Sequence, residues 1–475
     1  MGPRPTWRGP SSLLENPLRT RPFLMAAGLL ASGLTPLALA TPATAAVAKY
    51  TDDFNGDGHR DYAAFAYGRD LNESEGGGVL VTFGTANGPG TKTQFVSQAS
   101  AGVPGADEPD DFFGEVRTAA DFNKDGYGDL AVSANGEDVG KKKNNGTVTI
   151  LWGSSKGLSG GTTLPAKGGS GLARDFATGD FNGDAKPDLA LVRDSKTYVY
   201  RGAITKSGVK GSVTVLDKDG SSFYSTAVIS GKVNKDGKTD LVIIGDVVYP
   251  EYIASDAWFI SGGKARLYPG KTLRIESVKG NGGQTERGGD GLIADFNKDG
   301  YGDIAIGTPL YDRYKGRVTL WYGASSGPSK SARFTQATKG IKDTPEPDDV
   351  FGASLSAGDV NGDGYRDLAI GVYGEKLGTH VYAGAVHVLK GTKSGLTATG
   401  SQWFARDTAG VPGALTSDDV FGGTVRLRDT NRDGKADLYV TANYGSVLLR
   451  GSSKGVTTTG AQSVKGDIIE GMLQP

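Results

Sequence analysis

The chain has 475 residues, more than one small core can use, and 75 of them are glycine, roughly twice the usual share and without a collagen period. Fifty-two basic and 53 acidic residues leave a formal charge of -1, which speaks against a nucleic-acid partner or an electrostatic membrane binder, and 37% hydrophobic residues exclude a wholly disordered chain. With no cysteine, disulfides, thiolate metal sites and cysteine nucleophiles are excluded together.

The first element in chain order is an export signal over residues 1–45. Arg19 and Arg21 form its basic flank, residues 23–40 are an apolar stretch loosened by Gly28, Gly33 and Pro36, and Ala43-Thr44-Ala45 offers small residues for cleavage. No second apolar span of about 18 residues follows. The mature chain, residues 46–475, is therefore expected to be secreted and extracellular, without a membrane span, and monomeric.

From Asp53 onward one nine-residue pattern, Asp-x-Asn-x-Asp-Gly-x-x-Asp, recurs seven times at intervals of 52 to 70 residues. The first copy places Asp53, Asn55, Asp57, His59 and Asp61 at positions 1, 3, 5, 7 and 9. The second places Asp121, Asn123, Asp125, Tyr127 and Asp129 there, and the third Asp180, Asn182, Asp184, Lys186 and Asp188, with Ala185 in place of the glycine. The fourth opens with Lys232 and keeps Asn234, Asp236 and Asp240. The fifth has Asp295, Asn297, Asp299, Tyr301 and Asp303; the sixth Asp359, Asn361, Asp363, Tyr365 and Asp367; the seventh Asp429, Asn431, Asp433, Lys435 and Asp437.

These loops are expected to bind calcium. Positions 1, 3, 5 and 9 offer side-chain oxygens, position 7 a backbone carbonyl, and glycine at position 6 permits the sharp turn. An all-oxygen donor set without His or Cys side chains favours calcium over zinc or copper. Turn-forming Asx and glycine residues alone account for one such copy, but not for six in register. The pattern is not an EF-hand, because the position-12 residues, Ala64, Val132, Leu191, Ile306, Ile370 and Val440, are all apolar. Six calcium sites of weak extracellular affinity follow, about 10⁻⁴ to 10⁻³ M, the third weaker because Ala185 must hold a β-carbon in the left-handed region. The fourth loop is expected to be metal-free and held by an internal ion pair, because the Lys232 ammonium competes with the cation.

An apolar strand follows each loop, such as the one beginning at Leu130, Leu189, Ile304, Leu368 or Leu438, and then a second strand ending in a glycine turn. A weaker β-like stretch comes next. Asp-Asp-x-Phe-Gly precedes three loops, at residues 110–114, 348–352 and 418–422. Units of about 60 residues with four antiparallel strands predict an all-β, seven-bladed β-propeller. Ring closure is expected to bring the last unit, which runs through residues 447–465, beside the first blade near residues 47–54, and leaves open which strand closes it.

With these residues in place the chain resembles the FG-GAP repeat family, which includes the N-terminal propeller of integrin α subunits and bacterial secreted proteins. The resemblance is carried by the aspartate loops, by Phe113-Gly114, Phe351-Gly352 and Phe421-Gly422, and by Gly307-Thr308-Pro309. Blades three, four and five lack a clear Phe-Gly. The resemblance implies calcium loops on one face, between the first and second strands of each blade, and ligands on the opposite face. That face would comprise residues 67–76, 135–145, 309–315 and 373–382, with Arg69, Lys141, Lys142, Lys143, Tyr311, Arg313, Tyr314, His380 and Tyr382. The expected function is adhesion or recognition of an extracellular glycan or protein ligand. The alternative is a polysaccharide-degrading lyase or hydrolase on the same scaffold, but no catalytic constellation stands out among the three histidines, His59, His380 and His387.

Overall fold

The computed structural model describes residues 47–67, 75–166, 172–218, 222–248, 252–279 and 290–473; the export signal expected over residues 1–45, and Arg69, lie outside them. The described chain is an all-β, seven-bladed propeller of antiparallel sheets. Blade 2 shows the common plan. Its inner strand Arg117–Ala120 runs into an aspartate loop, then come Asp129–Ala134, Thr147–Trp152 and the outer strand Ser159–Thr163. The second strand is buried along its whole length, whereas the outer strand is half-exposed, so the continuous apolar run after each loop marks the strand covered on both faces.

Blades 3 to 7 repeat this order, with inner strands Ala173–Gly179, Phe223–Gly231, Gly291–Ala294, Leu355–Gly358 and Val425–Arg428. Blade 3 carries an extra two-stranded hairpin, Ile204–Thr205 with Gly208–Val209. The core is divided rather than central: seven hydrophobic clusters each fill the space between two neighbouring blades. The inner strands surround an axial channel of about 1510 Å³. Polar side chains brace one inner strand to the next there: Val228 N donates to Asp175 Oδ2 at 2.8 Å, Leu355 N to Asp290 Oδ2 at 3.0 Å and Leu427 N to Ser356 Oγ at 2.8 Å.

Ring closure brings the last blade beside the first, as expected, with Tyr439 and Leu448 packed against Tyr62. Blade 1 has three described strands, Tyr62–Ala66, Gly78–Thr85 and Gly88–Val96, and its first strand occupies the second place of the common plan. The missing inner place is taken by the segment after the last strand. A short helical turn, Gly466–Glu470, packs Ile468 and Ile469 with Tyr62 and Tyr439, joined by Met472 just beyond it, and Ala63 N donates to Gly471 O at 3.0 Å. Arg428 fastens both ends, donating to Leu473 O at 2.8 Å and to Asp52 Oδ2 at 2.9 Å. An irregular tail has no alternating pattern to betray this role in sequence.

Candidate metal centres

In blades 2 to 7 each aspartate loop joins an inner strand to the second strand, and in blade 1 it leads directly into the strand in that second place, so all seven lie at the same end of the propeller. Blade 6 shows how the chain folds there. Asp359 accepts the N–H of Gly362 and Gly364, both at 2.7 Å; Asn361 Oδ1 accepts Asp363 N at 2.9 Å, and Asp363 Oδ1 accepts Tyr365 N at 2.9 Å. These Asx turns coil the loop around its own side chains and hold positions 1, 3 and 5 in fixed order. Two positions must be left-handed. Position 6 was legible as glycine, and Ala185 there takes φ 63°. Position 4 was not: it is Gly56, Lys124, Gly183, Lys235, Lys298, Gly362 or Arg432, with φ between 57° and 77°.

Position 9 has a further role that sequence reasoning missed. Asp367 is fully buried, and its two oxygens accept Val360 N and Gly391 N, both at 2.9 Å. Asp61, Asp129, Asp188, Asp240 and Asp303 repeat the pair with the position-2 N–H and the glycine ending the third strand. In blade 7 Asp437 accepts Gly451 N and the Thr430 hydroxyl instead. The carboxylate is thus a staple between the loop and the next hairpin. Its glycine partner is obligatory on steric grounds, since a Cβ on Gly153 would lie 2.1 Å from Gly128 O. The signal was present in the sequence as the apolar residue at position 2 (Phe54, Phe122, Phe181, Val233, Phe296 and Val360), buried in every case.

The donor set fits a hard cation in five loops. Asp61, Asp129, Asp188 and Asp303 are pushed up to about 7, and Asp367 to about 6, first by burial and further by the charges of positions 1 and 5 in the same loop, against the lowering pull of their N–H partners. The three carboxylates of each loop thus raise one another's proton affinity, and an oxygen that accepts one N–H keeps a second lone pair. Among the described residues no three acidic or histidine side chains are gathered tightly enough to hold a metal ion as they stand, so occupation requires the side chains to draw in.

The remaining two loops carry built-in cations. In blade 4, Asn234 Nδ2 turns away to Ser261 Oγ at 2.8 Å, and the ion pair is Lys238 Nζ to Asp236 Oδ2 at 3.2 Å rather than one made by Lys232. In blade 7, Arg450 Nη1 lies 2.9 Å from Asp437 Oδ2. Adjacent loops also touch. Lys235 and Lys298 at position 4 sit over the Tyr301 and Tyr365 rings at position 7 of the following loop, 5.4 and 5.7 Å from the centroids, and Arg432 donates to Gly58 O at 2.6 Å across the ring closure. Lys206, from the extra hairpin of blade 3, reaches Asp125 Oδ2 of blade 2 at 3.4 Å.

The loops between second and third strands lie at the opposite end, and with them the described parts of 67–76, 135–145, 309–315 and 373–382. There each Asp-Asp-x-Phe-Gly segment clasps the preceding blade: Phe113 N donates to Gly76 O, Phe351 N to Lys315 O and Phe421 N to Ala383 O. Tyr67, stacked on Phe112 at 5.1 Å, donates its hydroxyl to Asp110 Oδ1 at 2.9 Å. His387 is wholly buried between Phe351 and Trp403, so it is a core residue, while His380 stays in a loop.

Comparison with known proteins bears on this repeating architecture. The model for the FG-GAP repeat matches residues 113–151, 288–321 and 351–389, and that for an FG-GAP-like repeat matches residues 180–243. The chain carries FG-GAP repeats. Its relatives include integrin alpha-PS2 of Drosophila melanogaster, 29% identical over 216 residues, 42% of this chain and 15% of that protein. Phosphatidylinositol-glycan-specific phospholipase D of Bos taurus is 33% identical over 172 residues, 34% of this chain and 18% of that protein. The matched segment thus spans less than a fifth of the length of either relative. A solved Agrocybe aegerita lectin that recognises non-reducing terminal N-acetylglucosamine covers 82% of this chain and 83% of its own, at 16% identity and a TM-score of 0.44, a likeness too low to carry an argument. No described helix is long and apolar enough to cross a membrane.

Proposed function

We propose that this chain is a secreted, calcium-stabilised recognition module that binds a glycan or protein ligand at the end of the propeller opposite the aspartate loops. The observation that carries the reading is an asymmetry between the two ends. Of the twelve large hydrophobic side chains exposed among the described residues, nine lie at that end: Tyr67, Val139, Leu172, Tyr224, Val248, Tyr314, Val381, Tyr382 and Tyr444. Exposed aromatic rings beside polar and basic groups are the usual material of a recognition surface.

Calcium belongs to the other end, in the loops of blades 1, 2, 3, 5 and 6, with blade 7 weaker and blade 4 without metal. The ion supplies positive charge among facing carboxylates; the loops supply preorganised oxygens. Weak sites of about 10⁻⁴ to 10⁻³ M fill only where calcium is abundant, which supports an extracellular location. A glycan array with the purified chain, scored for retention and for shortened products, tests the ligand reading. Retention that falls at least tenfold in Tyr382→Ala or Tyr314→Ala supports it; shortened products would replace it with the polysaccharide-degrading alternative.

A further inference from the structure

Three junctions at the end opposite the aspartate loops share one layout. In each, the second aspartate of Asp-Asp-x-Phe-Gly comes 13 residues after one position and 26 before another. The three sets are Gln98, Asp111 and Glu137 in blade 2; Gln336, Asp349 and Glu375 in blade 6; and Arg406, Asp419 and Gly445 in blade 7. Every side chain among them is buried.

In blade 7 the space is filled by a cation that belongs to the chain. Arg406 Nε donates to Asp419 Oδ2 at 2.6 Å, Nη1 to Pro412 O and Nη2 to Gly445 O. One guanidinium therefore sits in a socket of three oxygens and balances one buried carboxylate. In blade 6 the same socket has lost the guanidinium and gained a carboxylate. Gln336 Nε2 donates to Glu375 Oε2 at 2.6 Å, its amide also lies against Asp349, and its Oε1 has no partner although the residue is 1% exposed. Asp349 accepts Glu346 N at 2.6 Å, and Asp343 adds its charge nearby. Blade 2 repeats the arrangement independently: Gln98 Nε2 donates to Glu137 Oε2, Gln98 Oε1 has no partner, and Asp111 accepts Glu108 N at 3.1 Å.

Replacing arginine by glutamine and glycine by glutamate shifts each junction from neutral to a formal charge of -2 among buried side chains. Buried charge persists only when it is paired or coordinated. We propose that the blade 2 and blade 6 junctions are cation sites, each taking one divalent ion of the calcium type in the place that the Arg406 guanidinium fills in blade 7. The ligands are Asp349, Glu375 and Gln336 Oε1 in blade 6, and Asp111, Glu137 and Gln98 Oε1 in blade 2. Half a turn of the amide presents Oε1 where Nε2 now lies and gives the orphaned oxygen its partner. Oxygen donors alone select a hard cation, and two carboxylates match its charge. These sites stand at the other end of the strands from the aspartate loops and do not depend on them.

Terbium is a suitable probe, because it replaces calcium at oxygen sites and can be counted. The full chain, stripped with chelator and dialysed against terbium, is compared with Glu137→Gln, with Glu375→Gln, and with Gln336→Arg/Glu375→Gly, which rebuilds the blade 7 socket in blade 6. Each variant is expected to bind one ion fewer per chain, and Glu137→Gln combined with the blade 6 graft two fewer. If the graft does not fold, the two isosteric Glu→Gln variants decide alone. An unchanged count in both of those would overturn the proposal and leave a buried proton as the only occupant. A wild-type count of two, with Asp363→Ala without effect, would remove the loop reading and leave this one standing.

Discussion

The loops of blades 6 and 4 can be laid side by side. Asp367 and Asp240 are both fully buried, and each accepts the position-2 N–H and a glycine N–H at 2.9 to 3.0 Å. Their upper halves diverge: Asp359, Asn361 and Asp363 coil around a shared space, whereas blade 4 has Lys232, an asparagine turned to Ser261, and Asp236 paired with Lys238. One motif therefore does two separable jobs. Position 9 builds the blade and survives in every copy; position 1 sets the charge and is dispensable to the fold, while Asn234 and Asp236 keep the Asx turns of positions 3 and 5, accepting Asp236 N at 3.0 Å and Lys238 N at 2.9 Å.

The sharpest way to break this comparison is Asp240→Ala, in the loop expected to hold no metal. It leaves the Val233 and Gly262 N–H groups buried without acceptors, at a cost of about 2–5 kcal/mol. Urea unfolding should show that loss with or without calcium, and a change under about 1 kcal/mol would mean position 9 is not structural. Next in size is the contrast between Asp363→Ala and Asp236→Ala. The first should remove one site's share of the calcium-dependent rise in Tm, and the second should leave that rise intact. Equal losses would erase the distinction between the blades.

A separate effect is on pH dependence in chelator. Asp61, Asp129, Asp188 and Asp303 hold protons up to about pH 7 in the folded chain, against an ordinary aspartate value of 3.8, because they are buried and face other carboxylates. The folded state then binds more protons than the unfolded state between about pH 4 and 7, so metal-free stability falls as pH rises through that window. Tm measured from pH 4.5 to 7.5 should decline, and calcium should flatten the decline by favouring the ionised form. A metal-free Tm that rises with pH would contradict the facing-carboxylate geometry.

Much of the loop was legible because its requirements are local. Asx turns and the left-handed glycine at position 6 are encoded within nine residues, and seven repetitions made the pattern unmistakable. Position 4 escaped notice because lysine and arginine can be forced left-handed by surrounding hydrogen bonds, so residue type alone does not report it. The second role of Asp61 and its counterparts was hidden because their glycine partners lie 14 to 24 residues away, as between Asp129 and Gly153. The junctions of blades 2, 6 and 7 were visible only as Asp-Asp-x-Phe-Gly; that Gln336 and Arg406 occupy one socket emerges once strands from separate hairpins meet.

Sequence by itself determined the all-β class, the seven units, the antiparallel blade plan and the turn-forming, oxygen-rich make-up of the aspartate loops, since each follows from short-range alternation, turn residues and an internal repeat. Tertiary structure alone decided how the ring closes, which carboxylates serve as staples, and which buried charges have a cation of their own. Those outcomes depend on groups from different blades sharing space too small for water. Such an energy belongs to the pair and cannot be read from either partner's stretch of chain.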